Sequence, residues 1–449
     1  FGSRTSSQSP DTSQRRQQRR ALATICVGIF SAMSIWFCAS AVLTPLMQEW
    51  NISDAEASFL TSMVNVGFCA GCLSSAVCNL ADIVHPPVLI LVGAVGAATA
   101  DLGLLLLGPG GYHGALLCRF LVGVGLSLVY PPGVKLLSTW FDASERGTAI
   151  GIMFGAFCVG SAFPQLLRGL ALRFSWRMVV AATSGAGLVS GIMVWLLVGV
   201  GPFPFPSATN FDPKKFVTVL GNPRVGLVIL AYCGHMWELF SVWTWVAAFL
   251  EKGWHLSSTV APFVACAMIS MGGPGSWIGG LLGDRFGRVR VAAASLAISG
   301  TSIAVLGLLA HEGPLLIRMC LFLIWGLTCL SDSCQFSAMI TIYADQQNVG
   351  TAVTVQLLCG YLSTVLALWL VPQVATSTSW RWSFFSLAGG PVIGLAALLL
   401  MSSGSKVSGS DAKLPAAGPL SGSDGQVPGG EDDPEGLPAS TTYGHARAA

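Results

Sequence analysis

Long apolar blocks separated by short polar stretches run through the chain. A bilayer core of about 30 Å needs roughly 20 apolar residues per helix, and a helix satisfies its own backbone groups there. Twelve blocks meet that length: 21–47, 55–79, 87–108, 113–138, 147–169, 176–200, 224–250, 259–282, 289–310, 314–342, 349–372 and 380–402. Most connections are 5–10 residues, so neighbouring helices are expected as antiparallel hairpins. The stretch 201–223 differs, with Pro202, Pro204, Pro206, Asp212, Pro213, Lys214 and Lys215, and reads as a linker between two six-helix halves. The pattern predicts an all-α membrane protein with twelve transmembrane helices. Its parts are a tail over 1–20, one bundle over 21–200, the linker over 201–223, a second bundle over 224–402 and a tail over 403–449. Both tails are expected to be disordered, the second being rich in Gly, Ser, Pro and acid.

Composition agrees with this. The 449 residues are 53% hydrophobic and 10% charged, where a soluble domain carries about 25% charge. Residues 21–402 hold 15 Lys+Arg and 14 Asp+Glu among 382 positions, under 8%. A formal net charge of +2 excludes a strongly basic nucleic-acid binder. The thirteen cysteines lie in or beside apolar runs and read as small packing groups rather than a disulfide framework. Cys69 and Cys72 have neither a His nor a second Cys pair beside them, so no metal site is expected. The chain opens on Phe1, as a fragment or a processed product would. Its Ser- and Arg-rich first 20 residues fit a cytoplasmic tail, or the remnant of a transit peptide.

Basic residues orient the spans. One side collects Arg15, Arg16, Arg19, Arg20, Arg146, Lys214, Lys215, Arg224, Arg285, Arg288, Arg290, Lys406 and Lys413, and the other only Arg168, Arg173, Arg177, Lys252 and Arg381. Both termini are therefore expected in the cytoplasm. The halves also repeat each other. Asp82 and Asp284 are 202 residues apart, Asp142 and Asp345 are 203, the Ser-Trp-Arg triplets at Ser175 and Ser379 are 204, and Arg119 and Arg318 are 199. A duplicated unit in one orientation places its pseudo-twofold axis along the membrane normal.

The segment Gly280-Leu281-Leu282-Gly283-Asp284-Arg285-Phe286-Gly287-Arg288, between the eighth and ninth runs, resembles the Gly-x-x-x-Asp-Arg-x-Gly-Arg loop of the major facilitator superfamily. The resemblance extends over 21–402. It implies a two-bundle transporter fold, a central cavity lined by spans 1, 4, 7 and 10, and a conformational latch at Asp284, Arg285, Gly287 and Arg288. The alternative for that loop is a plain cationic anchor. The first-half copy keeps Asp82 but has Cys78 in place of the Gly and lacks the basic residues, which leaves a latch there in doubt. Arg119-Phe120-Leu121-Val122-Gly123-Val124-Gly125 is similar to the family's span-four motif associated with proton coupling. Smaller echoes at Trp36–Val42, Tyr130–Lys135 and Gly234–Leu239 look like a bacterial-type branch with poorly defined substrates, distantly like nitrate and cyanate porters. The nitrate signature is missing, since Gly151–Gly160 and Gly350–Gly360 contain no Asn.

Ionisable groups inside spans are costly and usually face a partner or a cavity. Seven occur: Asp101, Arg119, Lys135, His235, Glu238, Arg318 and Asp332, all but Asp101 on spans 4, 7 and 10. Desolvation favours the neutral form of a carboxyl, a property a proton carrier needs. Glu238 is expected as that carrier, with His235 or Asp332 as relay; the competing reading is a structural pair with a cation. Gly234, His235, Glu238, Ser241 and Trp245 make one stripe at helical spacing, and Thr328, Asp332, Gln335 and Met339 another. Arg119 either contacts solute or protons or snorkels to the interface. Lys135 lies about 160° around the helix from it, so the two share a face only if Pro131-Pro132 breaks the span. If both reach the cavity, the solute is an anion. Trp36 and Trp245 are the tryptophans expected to meet solute.

The chain carries no nucleotide-binding loop, no His-Glu-x-x-His and no nucleophile elbow, so no enzyme and no cofactor is expected. The expectation is a monomeric, proton-coupled symporter of a small solute, with the bilayer as its other partner. It is placed in the plasma membrane, with an organellar membrane as alternative. An antiporter exporting drugs or metabolites and a non-transporting sensor are the other readings.

Overall fold

The computed structural model describes residues 12–78, 80–108, 110–142, 145–170, 175–203, 214–309, 312–345 and 349–407. Residues 1–11, 204–213 and 408–449, where the tails and linker were expected, lie outside them, as does Arg173; the Asp82 side chain is not described either. Every regular element among the described residues is helical.

Among the described residues, eleven helices are long and apolar enough to cross a membrane: span 1 Thr12–Ala41, span 2 Asp54–Val77, span 3 Pro86–Leu106, span 4 Tyr112–Ser138, span 5 Arg146–Leu170, span 6 Trp176–Leu197, span 7 Pro223–Lys252, span 9 Arg288–Leu309, span 10 Leu315–Tyr343, span 11 Thr351–Ser377 and span 12 Trp380–Ser403. The remaining predicted span, the eighth, is divided at Met271 into Ala261–Ser270 and Gly272–Phe286. Its two pieces together are about 39 Å long at 1.5 Å per residue, so twelve spans cross, in two sets of six. The protein is a multi-pass integral membrane protein.

Two stretches differ from expectation. Residues 12–20 continue span 1 as helix, because the Gln18 side-chain amide donates to the Trp140 carbonyl at 2.9 Å and ties this end to span 4. Within the expected linker, Lys214–Leu220 is helical. Asn222 then caps span 7, its side chain accepting from the Arg224 and Val225 amides, which leaves fewer orphan donors at the helix start. Ser53 and Glu56 form a capping box at the start of span 2.

Spans 4 and 10 both break near mid-length, at matching places in the repeat. Span 4 is Tyr112–Ser127 followed by Tyr130–Ser138; Pro131 and Pro132 lack the amides that would continue the ladder. Span 10 is Leu315–Thr328 followed by Ser333–Tyr343. There the Ser331 hydroxyl donates to the Thr328 carbonyl at 2.9 Å, competing with the helix for that acceptor.

Within each half, glycines let backbones touch. A β-carbon on Gly67 would meet the Phe120 carbonyl, and one on Gly123 the Val64 carbonyl, joining spans 2 and 4. Gly275 and Gly279 meet the Leu327 and Ser331 carbonyls in the same way, joining spans 8 and 10. Small residues allow such packing in lipid, where apolar burial gives no net drive between helices.

Outside the spans, Glu49 accepts from Trp176 Nε1 at 2.6 Å and from Arg177, clamping the turn after span 1 to the start of span 6. The hydrogen bonds from Trp176 and Arg177 hold its carboxyl below the usual range. A lowered folded value means that the stabilisation is present at neutral pH and is lost as pH falls through that value. Acid melting in detergent should therefore be less steep in Glu49→Gln than in the wild type; parallel profiles would refute the clamp. Gly287 has φ +93°, a conformation nearly restricted to glycine. Gly287→Ala should cost about 1–3 kcal/mol. Gly123→Val, pushed against the span 2 backbone, should cost more in the same detergent melt; a wild-type melting temperature would disprove the close approach.

Candidate functional site

In the first half the buried charges neutralise each other. Arg119 Nη1 lies 3.0 Å from Asp101 Oδ1, and both side chains are essentially inaccessible, at 1% and 0%. Nη2 donates to the Trp36 carbonyl at 2.6 Å and Nη1 to the Ile35 carbonyl at 3.3 Å. Ser184 Oγ donates to Asp101 Oδ2 at 3.0 Å. The network binds spans 1, 3, 4 and 6 to one another: both Nη atoms of Arg119 donate to partners of their own half, while its Nε has none.

The second half holds a different cluster. Glu238 is 1% exposed. Its Oε1 accepts from Trp325 Nε1 at 2.6 Å and its Oε2 from the Ser299 hydroxyl at 3.0 Å, so spans 7, 9 and 10 meet on one carboxyl. One turn earlier, His235 Nδ1 lies 2.9 Å from Asp332 Oδ1, while Nε2 is 2.9 Å from the Ser333 hydroxyl. The Nδ1–Oδ1 contact is close but off the hydrogen-bond axis, and neither atom has another hydrogen-bond partner. Asp332 sits at the break of span 10, and lies within electrostatic range of Glu238. Three of the expected residues, His235, Glu238 and Asp332, are thus brought together.

Gln335 turns elsewhere. Its Nε2 donates to the Gly279 carbonyl at 2.7 Å, and its Oε1 is 3.4 Å from Arg288 Nη1. Arg288 also reaches Asp284 at 2.8 Å. The loop residues Asp284, Gly287 and Arg288 are thereby tied to span 10 through Gln335, whereas Arg285 stacks on Phe286 with its guanidinium 5.3 Å from the ring centre. Lys135 is half-buried on Tyr130–Ser138, the segment that the break of span 4 sets apart from Arg119. Arg318 lies over Trp254 at 4.8 Å and bonds the Gly313 carbonyl, an interface position.

Between the halves, rings close the centre. Trp36 contacts Phe240 at 5.8 Å and Tyr361 at 5.5 Å, and Trp243 contacts Phe37 at 5.4 Å and Phe157 at 5.9 Å. Trp36 Nε1 donates to Asn65 Oδ1 at 3.0 Å, and Asn65 Nδ2 donates to the Thr364 hydroxyl at 2.6 Å, linking spans 1, 2 and 11 across the seam. Two ion pairs cross the seam on the face opposite the Gly283 loop: Arg168–Glu251 at 2.6 Å and Lys252–Asp54 at 3.8 Å. Trp245 lies nearby, buried, donating to the Leu368 carbonyl at 3.2 Å and lining a cavity of about 140 Å³ with Arg168, Asp54 and Lys252.

Sequence reasoning missed Asn65, Thr364 and the role of Asp101. Asp101 carried a signal, an acid one span away from a buried arginine. Asn65 and Thr364 are ordinary polar residues 299 positions apart, and only the seam joins them.

A sequence model of the Major Facilitator Superfamily matches residues 25–331. With twelve spans in two related sets and the Gly283 loop in place, the chain belongs to that superfamily. It is 24% identical over 285 residues to the inner membrane transport protein YnfM of Escherichia coli, covering 60% of this chain and 64% of that one. It is 25% identical over 222 residues to the probable galactarate/D-glucarate transporter GudP of Bacillus subtilis, covering 43% of this chain and 47% of that one. The chain thus spans between about half and two thirds of these relatives' length. In fold it is similar to the crystal structure of a bacterial homologue of the human lysosomal transporter Spinster, inward-facing and unoccupied. The TM-score is 0.71 at 16% identity, over 86% of this chain and 97% of that one.

Removing one partner of a buried ion pair strands the other charge. Asp101→Asn should therefore destabilise the protein by about 3–5 kcal/mol. Adding Arg119→Met should restore much of that loss, read as melting temperature in detergent. A double variant no more stable than Asp101→Asn would show that the pair is not what holds these spans.

Proposed function

We propose that this chain is a secondary active transporter that moves a small organic anion together with protons by alternating access. The observation that carries the reading is where the strong and weak contacts lie. The buried networks around Asp101–Arg119 and around Glu238 each stay within one half. Across the seam, among the described residues, are ring contacts, an amide–hydroxyl bond and two ion pairs, Arg168–Glu251 mostly buried and Lys252–Asp54 partly exposed. Exposed pairs contribute about 0–1 kcal/mol, whereas stranding a buried charge costs several. Two bundles, each tied by its own buried polar network and meeting mainly through ring contacts, can rock about a central solute.

The cluster of Glu238, Asp332 and His235 supports proton coupling. Glu238 and Asp332 lie within electrostatic range of each other, and His235 beside Asp332 offers a ring nitrogen as relay. An anionic cargo is supported by the sugar-acid name of the Bacillus subtilis relative. The excess of basic residues supports a cytoplasmic Gly283 loop and cytoplasmic termini, with the plasma membrane as the first assignment.

The test is counterflow in proteoliposomes with labelled D-glucarate and a neutral hexose. The wild type should exchange the acid in preference to the sugar and accumulate it under an inward proton gradient. Glu238→Gln should abolish accumulation and leave exchange intact. Accumulation that persists in that variant sinks the proton role, and preference for the hexose sinks the anion.

A further inference from the structure

We infer that Tyr130, Tyr232 and Tyr361 form a hydroxyl cradle at the seam that binds the hydroxyl groups of a polyhydroxylated acid. This rests on the transporter reading above and deepens it.

The three rings come from both halves. Tyr130 opens the second segment of span 4, where the helix break sets it 5.6 Å from Phe157. Tyr232 lies one turn before His235 on span 7, with ring centres 5.9 Å apart, and is 5.9 Å from Phe336. Tyr361 is wedged among Phe68 at 4.7 Å, Phe240 at 5.3 Å and Trp36 at 5.5 Å. Gly360 helps to seat the set: a β-carbon there would run into the Tyr232 ring. Tyr232 lies within electrostatic range of Tyr130 and Asp332, and Tyr361 within range of both other tyrosines.

Tyr232 and Tyr361 are only 7% and 4% exposed. A buried tyrosine hydroxyl normally finds a hydrogen-bond partner. Among the described residues, none of these three hydroxyls bonds to a protein group. Nor are they among the sealed unpaired atoms, which include Trp237 Nε1 and Ser241 Oγ, so they open onto accessible space. Three rigid rings therefore offer three unspent groups, each able to donate and to accept. A polyhydroxylated acid would satisfy them, whereas an apolar solute would leave them unpaired, which is costly. Because the hydroxyls come from both halves, one solute bound by all three bridges the seam, and Tyr232 brings it next to the His235–Asp332 pair.

The experiment uses the full chain in proteoliposomes, with D-glucarate as the hydroxylated six-carbon diacid and adipate as the six-carbon diacid without hydroxyls. Wild-type protein should counterflow D-glucarate with a KM at least about tenfold below that for adipate. Each of Tyr130→Phe, Tyr232→Phe and Tyr361→Phe should raise the D-glucarate KM by about three- to tenfold, while leaving the adipate KM and the solute-free melting temperature unchanged. If wild-type protein moves D-glucarate and the Phe variants match it, the cradle is wrong and the transporter reading stands. Equal use of the two diacids by the wild type overturns the solute class. A KM change for both diacids, or one accompanied by a fallen melting temperature, assigns the tyrosines to packing and overturns the proposal. Counterflow of neither diacid removes the organic-anion reading and the cradle with it.

Discussion

Charge within a hydrocarbon layer has to be neutralised where it stands, and in this protein that happens inside each half. Asp101 and Arg119 do it with opposite charges, reinforced by Ser184 and by two carbonyls of span 1. Glu238 is instead held by two neutral donors, Trp325 and Ser299, without a cation in direct contact. Each network crosses three or four spans, so a bundle cannot deform without exposing or stranding a polar group. Among the described residues the seam carries ring contacts, an amide–hydroxyl bond and two ion pairs, one of them mostly buried.

Backbone breaks serve the same arrangement. A helix interrupted at membrane depth is tolerated where protein or water can satisfy its freed groups. Spans 4 and 10 are interrupted at equivalent positions, and the residues set free there, Tyr130 and Asp332, lie beside the central cluster. The causes differ between the halves, a Pro-Pro pair in one and serine and threonine hydroxyls in the other. Equivalent geometry has been kept by different chemistry. The close backbone contacts at Gly67–Phe120 and Gly275–Leu327 show the same duplication, each holding a broken span against its neighbour.

Much of the fold was legible because a bilayer imposes one length and one polarity on every span. The number of spans, the loop at Gly283 and the repeat offsets near 200 residues all follow from that constraint and from duplication. The eighth run was legible as apolar, but not as two helices, since the break at Met271 leaves no mark in hydropathy. The site was legible in part. His235 and Glu238 fall on one face of a single helix, which periodicity reveals, and Asp332 was conspicuous as a buried acid. Gln335 was equally conspicuous on its stripe, yet it packs toward Gly279 and Arg288, because helix spacing fixes which residues share a face and not which neighbour that face meets.

The amino-acid pattern alone thus determined the membrane class, the two-part repeat and the identity of the costly buried groups, since each depends on local composition and on distances along the chain. Tertiary structure alone decided that Arg119 is paired with Asp101, that Asn65 reaches Thr364, and that Tyr361 packs among Phe68, Phe240 and Trp36. Those outcomes depend on how helices rotate and where they break, and these are set by contacts between residues far apart in sequence, of which a one-dimensional pattern keeps no trace.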